Sequence, residues 1–84
     1  MTSHNWHDAA GEIREEALAA TLRYPPFHSA HEGYAIIKEE LDELWTEVKA
    51  KDQNVARMRE EAMQVGAMAL RFMVEVCGPE EATP

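Results

Sequence analysis

Two runs of apolar residues at helical spacing, Tyr34, Ile37, Leu41, Leu44 and Val48, then Val55, Met58, Ala62, Val65, Ala69, Phe72 and Val76, flank the turn-forming Asp52, Gln53 and Asn54. Helices joined by so short a connection must fold back on each other. The spacing therefore predicts an antiparallel hairpin of helices over about 30–51 and 54–77, each roughly 30 Å long at 1.5 Å per residue. Ser29 and Glu32 supply a capping box at the start of the first of these helices, and Gly78-Pro79 supplies the stop of the second.

The segment before the hairpin reads as one more helix, over about 5–22. Trp6, Ala10, Ile13, Ala17, Ala20 and Tyr24 form its seam, and Thr2, Ser3 and Asn5 are its possible N-caps. Pro25-Pro26 ends it, because neither proline donates a backbone hydrogen bond and each restricts the residue before it. With 84 residues, the chain is expected to form a single all-α domain over 1–84, with 78–84 as a tail. Trp45, Met63 and Met68 lie outside the seams. Helix 1 alone cannot cover them, so the hairpin is expected to complete a helical bundle by self-association.

The hairpin concentrates charge. Glu39, Glu40, Asp42, Glu43 and Glu47 crowd one helix, and neither Glu40 nor Glu43 has a basic residue four positions on to temper it. A turn centred near Asp52 puts residues whose numbers sum to about 104 at one height, so Glu43 is level with Glu61 and Glu40 with Gln64. Heptad labels put them on facing flanks. Three carboxylates and an amide oxygen at one level are hard ligands suited to Mg²⁺ or Mn²⁺. A solvated acidic face is the other reading of the same residues.

Glu39-Glu40-Leu41-Asp42-Glu43-Leu44, followed by Glu60-Glu61-Ala62-Met63-Gln64, resembles the MazG-like branch of the all-α nucleoside triphosphate pyrophosphatases, whose pattern is E-x-x-E on one helix and E-x-x-D on the next. The resemblance spans about Ser29 to Phe72. It implies that Glu40, Glu43 and Glu61 are Mg²⁺ ligands, with Gln64 at the position of the final Asp. It also implies hydrolysis of a nucleoside triphosphate to monophosphate and pyrophosphate, in a homodimer or homotetramer. Gln64 departs from the pattern: its oxygen can ligate a cation, but it adds no charge and cannot act as a base. The alternative is a non-enzymatic helical protein of the same ancestry that binds a partner through its hairpin.

Other side chains compete for attention. Lys38, Lys49, Lys51, Arg57, Arg59 and Arg71 are candidates for contacting phosphate, although most basic residues are simply solvated. His28, His31 and Glu32 have spacing that permits a transition-metal site, as do His4 and His7 more weakly. Trp45 is read as an interface or core anchor before a base-stacking platform, Met58, Met63, Met68 and Met73 as adaptable packing, and Cys77 as a small buried apolar residue.

Charge excludes some partners. Sixteen Asp and Glu against eight Lys and Arg give a formal net charge of -8, which disfavours a nucleic-acid backbone and an anionic membrane surface. The longest uncharged run, Ala62 to Leu70, is far short of the roughly 20 apolar residues that span a bilayer. The single Cys77 forms no intrachain disulfide, and the polar N-terminus is not a signal peptide, so the cytoplasm is the expected compartment.

Overall fold

The computed structural model describes residues 5–78, and among these the secondary structure is entirely helical. α1 runs Trp6–Arg23, α2 Ala30–Val48 and α3 Val55–Arg71; a wider π-helical turn, Phe72–Val76, continues α3. Each α-helix starts on a side-chain cap. Asn5, Ser29 and Asn54 accept from the backbone N–H groups of Asp8, Glu32 and Arg57. Thr2 and Ser3, Pro79 and the tail lie outside the described residues.

α3 is the centre of the molecule. α1 packs on one side of it and α2 on another, and α1 and α2 do not pack directly on each other. Paired residues fix the directions. Arg57 meets Glu47 at 3.4 Å, which makes α2 and α3 antiparallel, while Arg59 meets Glu12 and Gln64 meets Glu16, which makes α1 parallel to α3. Residues 24–29 then cross the end of the bundle to reach α2.

Three expectations about the hairpin helices are corrected first. α2 stops at Val48, because Gln53 Nε2 takes the Val48 carbonyl at 2.8 Å and residues 49–54 form the turn. The third helix does not stay α-helical to residue 77. After Arg71 it widens, and Cys77 N donates to Phe72 O at 3.2 Å. The third correction concerns the seam of α2. Tyr34, Leu41, Trp45 and Val48 are 65%, 48%, 56% and 36% exposed, whereas Gly33 is buried and Ile36, Ile37, Glu40, Leu44 and Glu47 are partly buried. The buried face is thus turned toward Gly33, Ile36, Glu40 and Glu47, with Ile37 and Leu44 still within it.

Gly33 explains that rotation. A Cβ there would lie 2.7 Å from a ring carbon of Phe72 and 3.0 Å from one of Phe27, so α2 must present its glycine to the π turn for the two to approach this closely. Presenting Gly33 turns Tyr34 outward. The same logic limits α1, whose central Ile13, Ala17 and Ala20 face α3 while Trp6 (93%) and Tyr24 (57%) are exposed. The small core consists of Ala17, Ala20, Phe27, Ala67 and Met68. Met68 is therefore buried rather than left for a partner, and Cys77, expected inside, is exposed.

The two interior glycines predict opposite outcomes. Gly33→Ala drives a methyl into two packed rings and should destabilise by about 1 to 3 kcal/mol, the usual cost of overpacking. At Gly66 an added Cβ meets only the Ile13 side chain, whose terminal Cδ1 at 2.9 Å can rotate while Cγ1 and Cγ2, at 3.2 and 3.4 Å, give by a few tenths of an ångström. Gly66→Ala should be near neutral, because helix propensity gains up to about 1 kcal/mol against that adjustment. Urea denaturation of both variants checks this, and equal losses would contradict the assignment.

Candidate functional site

Between α1 and α2, over the exposed flank of α3, lies an open cleft of about 650 Å³. It exists because the two outer helices share α3 and leave the space between themselves unfilled. One end, beside residues 24–29, is lined by Ala20, Tyr24, Phe27, Ile36 and Met68 together with Arg23, Glu32 and Arg71, and the other carries Glu40, Glu43, Glu60 and Glu61. The cleft mixes apolar side chains with both signs of charge at one end and is strongly anionic at the other.

Glu40 and Glu43 are one turn apart on α2, and the hairpin register brings Glu61 of α3 beside them, with one carboxylate oxygen from each all within 4.8 Å of one another. No other described group of three His, Cys, Asp or Glu side chains converges so closely. Glu40 is held above the ordinary carboxyl value, first by burial and then by the charges of Glu43 and Glu61. Glu61 is raised too, first by burial and then by Glu43. Neighbouring charges that might relieve this cluster are engaged elsewhere: Lys38 Nζ pairs with Asp42 at 2.9 Å and Arg57 with Glu47.

Gln64, the fourth expected ligand, lines the same cleft as the three carboxylates. Its Nε2 donates to Glu16 Oε2 at 3.1 Å, and the same oxygen accepts from Arg23 Nη2 at 3.0 Å. An amide can donate where a carboxylate cannot, so Gln64 pairs with the acid that α1 brings over the cleft. Glu16, Arg23 and Tyr24 were not legible as cleft residues. Their only sequence signal was the i,i+7 pairing of Glu16 with Arg23 along one face of α1.

Of the six phosphate candidates, only Arg71 lines this cleft, and it is committed. Its Nε and Nη2 donate to the two Glu75 oxygens at 2.8 and 3.0 Å, and Nη2 also donates to Pro25 O at 3.1 Å. Glu75 Oε1 accepts from Phe27 N at 3.0 Å, and the guanidinium lies 4.4 Å from the Phe27 ring centre. This network fastens residues 24–29 across the end of α3. Arg59 pairs with Glu12, and Lys49 and Lys51 are exposed in the turn. His28 lies 3.5 Å from Glu32, but His28, His31 and Glu32 do not converge as a ligand set. His7 is exposed, and His4 lies outside the described residues. Trp45 is on the outer face of α2 and does not line the cleft.

Compared with known proteins, the chain matches no family profile, no curated protein and no solved structure. Among the described residues no helix is long and apolar enough to cross a membrane.

Proposed function

We propose that the chain is a Mg²⁺- or Mn²⁺-dependent nucleoside triphosphate pyrophosphohydrolase of the MazG-like type. The observation that carries this reading is the convergence of Glu40, Glu43 and Glu61 from two helices at the wall of a cleft of about 650 Å³. That volume lies within the usual range of small-molecule sites. The donor set fits the cation: all three side chains offer hard oxygens, and Glu40 and Glu61 have pKa values raised by burial and by neighbouring carboxylates, Glu43 first among them.

Glu40, Glu43 and Glu61 would hold the cation, and Gln64 would keep Glu16 fixed beside them. When bound, the cation supplies neutralisation of triphosphate charge and a lowered pKa for attacking water. The reaction adds water across the α–β phosphoanhydride bond, releasing the nucleoside monophosphate and pyrophosphate. Pyrophosphate release from a panel of nucleoside triphosphates with Mg²⁺ or Mn²⁺ tests this. Turnover that Glu61→Gln and Glu40→Gln each abolish is the expected result. No release from any of the panel would favour the alternative, a non-enzymatic partner-binding protein, which draws its support from the amide at position 64.

The working unit in this reading is a homo-oligomer, a homodimer or homotetramer. Tyr34, Leu41, Trp45 and Val48 form an exposed apolar stripe along α2, and Leu41, Leu44, Trp45 and Val48 border a groove of about 350 Å³. Sedimentation at low micromolar concentration should show self-association that Trp45→Glu weakens; a folded wild-type monomer would refute it.

A further inference from the structure

The end of the cleft beside residues 24–29 has a chemistry that the carboxylate end does not explain. Ala20 (1% exposed), Met68 (6%) and Phe27 (8%) lie packed beneath this end of the cleft, and the partly buried Ile36 borders it beside them. Tyr24 stands at its rim with over half of its surface exposed, directly after α1 ends. An aromatic residue at a helix end has many ways to lie on the surface. This one lines the cleft and lies under the Arg23 guanidinium, 5.7 Å from its ring centre. Arg23 is in turn held toward the cleft by Glu16 at 3.0 Å. The result is a flat aromatic side chain beside packed apolar side chains, next to a planar cation with five N–H donors in all.

We propose that this end of the cleft is a subsite for a planar heterocyclic base, with the ring of Tyr24 as its stacking platform and Arg23 as the donor to its polar edge. The inference rests on the nucleotide reading of the cleft and extends it to the part of the ligand that the carboxylates do not touch. The ends are complementary in order as well as kind. Glu16 and Gln64 lie between Tyr24 and the Glu40, Glu43 and Glu61 cluster, so a base at Tyr24 directs the attached sugar and phosphates along the cleft toward the acidic end. Flat apolar contact suits a base because every base has a π-face, and guanidinium donors suit its ring nitrogens and carbonyls. Arg71 cannot serve this purpose, since it is only 4% exposed, with Nε and Nη2 held by Glu75 and Pro25 and Nη1 directed at Met68 Sδ.

The test uses nucleosides, which carry no phosphate, in the presence of EDTA. Adenosine, guanosine, cytidine and uridine are titrated into the full chain while the methyl resonances of Met68 and Ile36 are followed by NMR. Saturable shifts of both methyls with at least one nucleoside are expected. Tyr24→Ala should weaken that binding about tenfold and Tyr24→Phe should retain it, as loss of a stacking ring requires. Tyr24 is largely exposed, so both variants should keep the fold, which circular dichroism monitors. No shift with any nucleoside, or shifts indifferent to Tyr24→Ala, would overturn the subsite. Because cation and hydrolysis are absent, the two readings fail separately. Nucleoside binding without turnover in the pyrophosphate assay removes the pyrophosphohydrolase and keeps the subsite. Turnover without Tyr24-dependent nucleoside binding does the reverse.

Discussion

Arg71→Ala is expected to be among the most destabilising single substitutions in this chain, at about 3 to 5 kcal/mol, the usual cost of removing one partner of a buried ion pair. The Arg71 and Glu75 side chains are only 3% and 9% exposed, so the orphaned carboxylate would lie out of water. Loss of Arg71 also frees Pro25 O and takes a stacked cation from the Phe27 ring. For a domain of this size each kcal/mol is worth about 4 to 8 °C, so a fall in melting temperature of about 12 °C or more is expected. An apolar pair of similar volume, Arg71→Met with Glu75→Leu, should recover much of that loss, because neither charge then needs solvation. A loss of under 1 kcal/mol for Arg71→Ala would show that the network does not hold residues 24–29 in place.

The same pair sets one side of the pH response. Its hydrogen bonds from Arg71 hold Glu75 below the ordinary 4.5, so its contribution to stability is present above that value and is lost as pH falls through the lowered folded pKa. Glu40 and Glu61 act in the opposite sense. Their folded pKa values lie above 4.5, so their contribution is full below 4.5 and is lost as pH rises through those values. Metal-free protein acidified from neutral pH should therefore first gain and then lose stability. Glu75→Gln should flatten the acid limb and the Glu40→Gln, Glu61→Gln double variant the other, as measured by denaturation across pH.

Divalent cation is expected to stabilise the folded chain by about 2.7 kcal/mol at a hundredfold excess over its dissociation constant. At about 4 to 8 °C per kcal/mol this is a rise in melting temperature of about 10 °C or more. The gain follows from carboxylate geometry that exists only when α2 and α3 are paired, and Glu61→Ala should abolish it. Gln64→Asp separates the two consequences of charge. It should tighten Mn²⁺ binding in calorimetry, because ligand charge sets hard-cation affinity. Without metal it replaces the donor to Glu16 with a like charge and should cost at least a few tenths of a kcal/mol. Unchanged melting of the wild type in millimolar Mg²⁺ and Mn²⁺ would leave the acidic face as a solvated surface.

The hairpin and its register were legible in the sequence because both depend on local rules. Ser29 and Asn54 cap through hydrogen bonds three residues away, and counting outward from a short turn fixes which residues are level across it. That count led to Glu43 beside Glu61, and Arg57 beside Glu47 obeys the same sum of 104. Tertiary structure alone decided which face of each helix is buried. Apolar spacing pointed to Tyr34, Leu41 and Val48, but close approach requires small residues, and Gly33 against Phe72 turns the buried face of α2 toward the glycine. It also decided where α1 lies. Periodicity gives a helix a face but no neighbour, so the packing of α1 on α3, the cleft this leaves, and the meeting of Glu16 with Gln64 all depend on contacts between residues far apart in the chain. The Arg71 network was hidden for the same reason: Arg71 read as a candidate for contacting phosphate, and only the Pro25 and Phe27 backbone folded over it and Glu75 excludes water from the pair.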